Sequence, residues 1–227
     1  MAFEAIFFDA GGTLVFPDTG LTLAALAERN VQPTQEQLFA AEREAKHQLD
    51  DARAHGVTGV DALYWQLYYE HLLRDLGIAD TAVRDALVLA ARTGTNWRTV
   101  RAGTQEVLEA LHSRYRIGLI SNSDGSVGRL LEELGIGHCF DSVTDSHHCG
   151  CEKPDPRIFR AALDALGTRA ERSLYVGDIY SVDFVGARSA GLSPLLMDVA
   201  GVYAETDYPR VNSLDQVEAY MTHFASP

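Results

Sequence analysis

The chain has 227 residues, 46% of them hydrophobic, and its 32 acidic and 19 basic residues give a net charge of −13. This length allows one domain, or one domain with an insertion. The acidic balance disfavours binding to nucleic acid or to an anionic membrane, and no apolar run is long enough to span a membrane. The N-terminus lacks the pattern of a signal peptide, and three cysteines do not suggest a disulfide framework, so we expect a cytoplasmic protein.

The first predicted element is a buried strand, the apolar run Ala5–Phe8. Asp9 follows it directly, and the glycine turn Gly11-Gly12 and Thr13 come next. Open α/β sheets bind ligands at the carboxyl ends of their strands, so Asp9 is a candidate functional carboxylate. If Asp9 is a nucleophile, its chemistry would usually require a second acid two residues later, where this chain has Gly11.

From about residue 21 to residue 93 the sequence predicts one helix after another, without a strand signal. The predicted helices cover residues 35–54, 61–76 and 81–92. This stretch is typical of a helical subdomain inserted after the first strand. We therefore predict an α-helical cap at residues 17–95 and a core formed by residues 1–16 and 96–227.

From about residue 96 predicted strands and helices alternate along the chain. The strands cover residues 116–121, 142–144, 173–177 and 193–197, and the helices cover residues 104–114, 127–134, 156–166, 181–190 and 214–224. Such alternation favours a parallel sheet that helices cover on both faces. The predicted fold is an α/β protein: a Rossmann-like, doubly wound parallel sheet core with an inserted α-helical cap.

Polar residues fall at four predicted strand ends or in the loops that follow them. They are Asp9 with Thr13, Ser121 with Asn122, Lys153, and Asp178 with Asp183. Because these strand ends meet at one edge of a doubly wound sheet, we expect the side chains to share a cleft. Three carboxylates, one lysine and several small hydroxyl or amide donors would then lie together.

This combination suits phosphoryl transfer with Mg²⁺, a hard cation that takes oxygen ligands. Asp9 and Asp178 could supply two ligands, and the backbone carbonyl of Gly11 a third. Asp183 could be a further ligand or could orient the others. The ion would offset the repulsion between three carboxylates and an incoming phosphate.

The phosphate would be held by one cation and several neutral donors. Lys153 supplies the positive charge, while the Ser121 hydroxyl, the Asn122 amide and the N–H groups of the Gly11-Gly12 turn can donate to phosphate oxygens. Asp9 could then attack phosphorus and form an aspartyl-phosphate, which water would hydrolyse.

These four segments, in this order and spacing, resemble the haloacid dehalogenase superfamily. Residues 152–159 (EKPDPRIF) and residues 176–187 (VGDIYSVDFVGA) are especially typical of its phosphatase-like members. The helical insertion is similar to that family's cap of the first type, and the resemblance covers nearly the whole chain. It implies a Mg²⁺-dependent hydrolase that acts on a small phosphorylated metabolite, as a monomer or a homodimer.

The resemblance also implies a role for each of six residues. These are Asp9 as the nucleophile, Ser121 as a phosphate donor, Lys153 as the group that holds nucleophile and phosphate, Asp178 and Asp183 as the groups that serve the metal, and Thr13 as support for the turn.

Gly11 departs from the family pattern. Family phosphatases typically have an aspartate there, which acts as general acid and base, and such help is worth about 10²–10⁴-fold in rate. The cap could supply a substitute, with His47, Asp50, Asp51 and His55 as candidates. Alternatively, the substrate could have a good leaving group, or the chain could bind a phosphorylated ligand and barely turn it over.

Two other chemistries of the family are less favoured. Its 2-haloacid dehalogenases also lack the second aspartate, but they need no metal and carry a small polar residue at the position of Asp178. Its phosphonate-cleaving members form a Schiff base with a cap lysine. Lys46 is the single lysine of the predicted cap, and we interpret it as a solvated surface charge.

A histidine and cysteine cluster precedes Lys153. It consists of His147, His148, Cys149 and Cys151. Its members are nearly contiguous, and no second cluster completes a set of four ligands. We interpret it as a strand end and loop rather than as a soft-metal site.

Overall fold

The structure, a computed structural model, describes residues 3–57, 60–92 and 97–225. The chain separates into two compact units. The core unit consists of Met1–Phe16, Val100–Val199 and Glu205–Pro227, and the cap unit consists of Pro17–Thr99 and Ala200–Ala204. The boundary predicted between residues 95 and 96 lies outside the described residues.

A six-stranded parallel sheet forms the centre of the core unit. The strands found in the described residues are β1 (Ala5–Phe8), β2 (Val15–Pro17), β3 (Trp97–Val100), β4 (Arg116–Ser121), β5 (Ser142–Asp145), β6 (Ser173–Gly177), β7 (Ser193–Met197) and β8 (Arg210–Val211). The order in the main sheet is β5-β4-β1-β6-β7-β8, and its neighbouring strands are parallel. β2 and β3 form a separate two-stranded sheet.

Helices connect the strands of the core unit and make up most of the cap unit. Over the described ranges they are α1 (Thr19–Ala27), α2 (Gln35–Ala54), α3 (Val60–Asp75), α4 (Thr81–Arg92), α5 (Thr104–His112), α6 (Val127–Glu133), α7 (Ser146–Cys149), α8 (Pro156–Leu166), α9 (Val185–Ser189) and α10 (Gln216–Ala225). The predicted α/β fold with a parallel sheet and inserted helices is confirmed. None of the described helices combines the length and the apolar character needed to cross a membrane.

β1 lies in the middle of the sheet and sets the position of Asp9. Its four residues are completely buried, and it pairs with β4 on one side and with β6 on the other. A strand covered on both faces must be apolar along its whole length, which explains the run that predicted it. Phe8 pairs in register with Val176, so Asp9 and Asp178 both emerge at the carboxyl edge of the sheet.

The long helix α2 of the cap unit carries a buried lysine. α2 begins with a capping box between Thr34 and Gln37. Lys46 in α2 is only 2% exposed, and its ammonium donates to Glu42 Oε1 at 2.7 Å. The interpretation of Lys46 as a solvated surface charge is therefore wrong. A carboxylate one helical turn earlier supplies the charged partner that burial of a lysine requires.

Two other local predictions differ in detail. The helix predicted at residues 181–190 is present, but its first part is a π-helical turn, Tyr180–Phe184, and the short helix α9 follows. The cluster from His147 to Cys151, interpreted as a strand end and loop, begins in the short helix α7, because the Asp145 side chain caps this helix by accepting from the His147 N–H at 2.9 Å. Cys149 and Cys151 flank the end of α7 as free thiols, with their Sγ atoms 3.0 Å apart.

Candidate functional site

A tight turn directly after β1 presents Asp9. The Asp9 N–H donates to the Val176 carbonyl at 2.8 Å, which ties the start of the turn to β6. The Val15 N–H donates to the Ala10 carbonyl at 2.8 Å, and the Gly12 N–H donates to the Val15 carbonyl at 2.9 Å. These bonds close the turn and hold the Asp9 side chain at the sheet edge, where it is 6% exposed.

Lys153 is the buried cation of the site. Its ammonium donates to Asp9 Oδ1 at 2.5 Å, to Asp183 Oδ1 at 2.8 Å and to the Tyr175 hydroxyl at 2.9 Å. Burial alone lowers the pKa of a lysine, but the carboxylates of Asp183 and Asp9 outweigh it and raise the pKa of Lys153 above its usual value. Lys153 is therefore a fixed positive charge that holds two carboxylates.

Asn122 holds the backbone of Lys153. The Asn122 Oδ1 atom accepts from the Lys153 N–H at 2.7 Å, and Nδ2 donates to the Lys153 carbonyl at 3.1 Å. Asn122 therefore positions Lys153, and the second N–H of its amide leaves its predicted phosphate contact a prediction. Ser121 is the last residue of β4, directly precedes Asn122 and is buried.

Asp183 accepts four hydrogen bonds from the groups around it. Oδ1 accepts from Lys153 and, at 2.7 Å, from the Tyr175 hydroxyl. Oδ2 accepts from the backbone N–H groups of Asp178 at 3.1 Å and Ile179 at 3.0 Å. A carboxylate offers about four acceptor positions, so this arrangement favours the orienting role of Asp183 over direct metal binding.

Two glycines allow the carboxylates to lie against the backbone. A Cβ atom on Gly12 would lie 2.3 Å from Asp178 Oδ2, and one on Gly177 would lie 2.4 Å from Asp183 Cγ. Gly12 also has the left-handed φ of 77° that favours glycine. Its N–H is engaged within the turn, which corrects its predicted role as a phosphate donor.

Asp9, Asp178 and Asp183 form a buried acidic cluster, in which one oxygen of each lies within 4.8 Å of the others. Burial raises the pKa of Asp9; Lys153 opposes this, Asp183 and Asp178 add to it, and the result is about 8. When ionised, the three carboxylates and the Lys153 ammonium carry a formal charge of −2. All-oxygen donors with this charge fit a divalent hard cation such as Mg²⁺.

The turn after Asp9 contributes two further predicted site residues. Thr13 is buried, and its hydroxyl has no hydrogen-bond partner among the described residues. Since buried hydroxyl groups ordinarily have a partner, Thr13 stays a candidate for contact with an oxygen from outside the chain. Gly11 forms an isolated bridge with Val15 and brings no side chain to the cluster.

The four cap residues considered as substitute acids or bases fall into two pairs. The Asp51 and His55 side chains are 77% and 75% exposed, and Asp51 Oδ1 lies 3.7 Å from His55 Nδ1. Asp50 accepts from the Tyr203 hydroxyl at 3.0 Å, and the His47 ring packs edge-on against Tyr203. Asp51 and His55 therefore lie in solvent, whereas Asp50 and His47 share an aromatic neighbour within the cap unit.

Tyr175 is the site residue that sequence reasoning missed. It lies within the apolar strand β6, and its ring packs on Phe159. In the sequence such a residue looks like an ordinary member of the hydrophobic core. A buried tyrosine usually has a hydrogen-bond partner for its hydroxyl. Its position three residues before Asp178 was therefore the one signal that its hydroxyl would reach the site.

Comparison with known proteins identifies relatives of this chain. A family model for haloacid dehalogenase-like hydrolases matches residues 3–191. The glyceraldehyde 3-phosphate phosphatase of Methanothermobacter thermautotrophicus is 39% identical over 113 residues, which are 49% of this chain and 50% of that protein. The phosphoglycolate phosphatase of Rhodospirillum rubrum is 32% identical over 206 residues, which are 86% of this chain and 79% of that protein. The aligned part spans about half the length of several curated relatives.

Solved structures share the fold. The HAD-hydrolase YfnB of Bacillus subtilis, solved with bound magnesium, matches with a TM-score of 0.67 at 18% identity, over 97% of this chain and 99% of that one. A 2-haloacid dehalogenase of Pseudomonas syringae matches with a TM-score of 0.59 at 22% identity, over 98% of this chain and 99% of that one. At such identities the likeness concerns the fold alone.

We predict that Gly12→Ala destabilises the protein more than Gly135→Ala. Both glycines have a φ of 77°, so a side chain costs each about 1–2 kcal/mol of backbone energy. A Cβ atom at position 12 would collide with Asp178, whereas a Cβ atom at position 135 would have no neighbouring atom within 4 Å. Urea unfolding of both variants measures the difference. Equal losses of stability would contradict a close approach of Asp178 to the turn.

We expect Tyr175→Phe to lower the free energy of unfolding by about 1–3 kcal/mol, because Lys153 and Asp183 each lose a buried partner. Tyr115→Phe, between α5 and β4, is the matched control and should change it by less than about 0.5 kcal/mol. Both values come from denaturant titrations. Wild-type stability in Tyr175→Phe would show that the hydroxyl does not hold the ion pair.

Proposed function

Because the chain belongs to the haloacid dehalogenase-like hydrolase family, we propose that it is a Mg²⁺-dependent phosphatase of a small phosphorylated metabolite. The observation that carries the proposal is the buried cluster of Asp9, Asp178 and Asp183 around Lys153. With all three carboxylates ionised, its formal charge of −2 would repel a phosphate unless a divalent cation were bound. With such a cation bound, the negative charge of the cluster would be neutralised, and the cluster could bind a phosphate dianion.

Two relatives support a phosphate ester as the substrate. The phosphoglycolate phosphatase of Rhodospirillum rubrum aligns with 86% of this chain, and the glyceraldehyde 3-phosphate phosphatase of Methanothermobacter thermautotrophicus aligns with 49% of it. Both names describe three- or two-carbon phosphorylated metabolites. Phosphoglycolate and glyceraldehyde 3-phosphate are therefore the first substrates to test on this chain.

We assign Asp9 and Asp178 as side-chain ligands of the metal, with the backbone carbonyl of Gly11 as a third. Asp183 is assigned to orienting Lys153 and the backbone of Asp178, since its carboxylate already accepts four hydrogen bonds. When bound, Mg²⁺ would neutralise the cluster and stabilise charge on the phosphoryl oxygens.

Asp9 is the proposed nucleophile. Lys153 holds its Oδ1 atom and so fixes the direction of the carboxylate. Attack by the carboxylate on phosphorus would form an aspartyl-phosphate and release the alcohol, and water would then cleave the acyl-phosphate to restore Asp9. The Ser121 and Thr13 hydroxyls are proposed to donate to phosphoryl oxygens, which would give the buried Thr13 hydroxyl its partner.

Gly11 determines what kind of ester this site should cleave well. Without an acid at that position, the leaving oxygen departs as an anion and takes its proton from water. Esters of acidic alcohols, such as aryl phosphates, should therefore react faster than alkyl phosphates. The same glycine favours a second candidate function, the binding of a phosphorylated ligand with little turnover.

We predict that the wild type releases phosphate from an aryl phosphate with Mg²⁺ and not with EDTA. Asp9→Asn should lower this activity by more than about 10³-fold, as the loss of a covalent nucleophile does. Asp164→Asn, on the exposed surface of α8, is the matched control and should retain activity. Binding of a phosphate ester without turnover would instead support the second candidate. Metal-independent halide release from a 2-haloacid would contradict both.

We predict that Gly11→Asp raises phosphatase activity, by up to the ~10²–10⁴-fold that general acid–base catalysis supplies. The gain should be larger for an alkyl phosphate than for an aryl phosphate, since the alkyl leaving group needs the proton more. Gly11→Asn has a similar size but no acid, so it should give no gain. Equal rates in the Asp and Asn variants, with Mg²⁺ binding retained, would contradict the role assigned to this position.

A further inference from the structure

A second group of metal-ligand side chains lies at the other edge of the core sheet. It consists of Glu109 in α5 and of His138 and Cys139, which lie in a 3-10 turn shortly before β5. Since α5 ends just before β4 begins, the group lies where the parallel strands start. Asp9 lies where they end, so the two groups are independent.

The spacing of the ligand atoms resembles that of a zinc site. The His138 Nε2 atom lies 3.0 Å from Glu109 Oε1 and 3.6 Å from Cys139 Sγ, and the three ligand atoms all lie within 4.8 Å of one another. Zinc bonds of about 2.3 Å to sulfur and about 2.0 Å to nitrogen, at a tetrahedral angle, place those two atoms about 3.5 Å apart. The observed distance between nitrogen and sulfur is therefore already that of two ligands on one ion.

We propose that Glu109, His138 and Cys139 bind Zn²⁺, with a fourth position left for water. Sulfur, nitrogen and oxygen donors together suit zinc, whereas Mg²⁺ prefers oxygen alone. The site is therefore distinct in chemistry as well as in place from the acidic cluster around Asp9.

The surroundings of the three residues suit such an ion. Cys139 is buried, whereas the neighbouring His138 and Glu109 side chains are 56% and 49% exposed. An ion can therefore reach the thiol from solvent when these two side chains part. Gln105 donates to Glu109 Oε1 at 2.9 Å and orients the carboxylate, as the outer partners of metal ligands do.

Binding would join two segments that flank β4. Glu109 belongs to the helix before this strand, and His138 and Cys139 belong to the connection that leads into β5. An ion held by both segments stabilises the folded core unit, because the unfolded chain does not keep the three ligands together. Zn²⁺ should accordingly raise the melting temperature of the protein.

The test uses Co²⁺ as a spectroscopic replacement for Zn²⁺ in the full chain with Cys149→Ser and Cys151→Ser, where Cys139 is the only thiol. Excess Mg²⁺ keeps Co²⁺ from the acidic cluster. We expect a thiolate-to-cobalt charge-transfer band that saturates at one ion per chain and that Zn²⁺ removes. Adding Cys139→Ser should abolish the band.

Single variants test the other two ligands without touching the buried thiol. His138→Gln and Glu109→Gln should each lower the affinity at least by the ~10-fold that loss of an outer-shell partner costs. Glu106→Gln, an exposed change on the same helix, should leave it unchanged. The proposal is overturned if the folded background protein gives no band, or if both ligand variants bind Co²⁺ as tightly as Glu106→Gln does.

Discussion

The candidate site depends on one buried ion pair network, in which Lys153 holds Asp9 and Asp183. Removing two carboxylates and an ammonium from water costs several kcal/mol per ion, and close contact with further hydrogen bonds must offset that cost. The Tyr175 hydroxyl accepts from the Lys153 ammonium, and the Asn122 amide accepts from the Lys153 backbone N–H. The network joins β1, β6 and the loop before α8, so the sheet edge has a defined geometry before any ligand arrives.

This network also explains why small residues surround it. Gly12 and Gly177 leave room for carboxylates that a Cβ atom would displace. The π-helical turn Tyr180–Phe184 brings Asp183 back over the end of β6, where it receives two backbone N–H groups. Backbone donors and close contact together replace the water that carboxylates would otherwise bind.

The central strands and the four site segments could be predicted from the sequence, because buried parallel strands are apolar throughout and polar residues stand out at their ends. The positions of Asp9, Lys153 and Asp178 followed from this contrast. Lys46 and Tyr175 could not be placed in the same way. Their burial depends on polar partners, Glu42 for Lys46, and Lys153 and Asp183 for Tyr175, and one sequence does not show which charged or hydroxyl groups will meet.

Lys46 and Lys153 are the only lysines of the sequence, and both are 2% exposed. Every other permanently cationic side chain is an arginine. Reagents and enzymes that acylate lysine amines therefore meet no accessible ε-amine while the protein is folded. One lysine lies in each unit, so acylation of Lys46 would record opening of the cap unit and acylation of Lys153 would record opening of the core unit. The chain thus contains two natural probes of its own local unfolding.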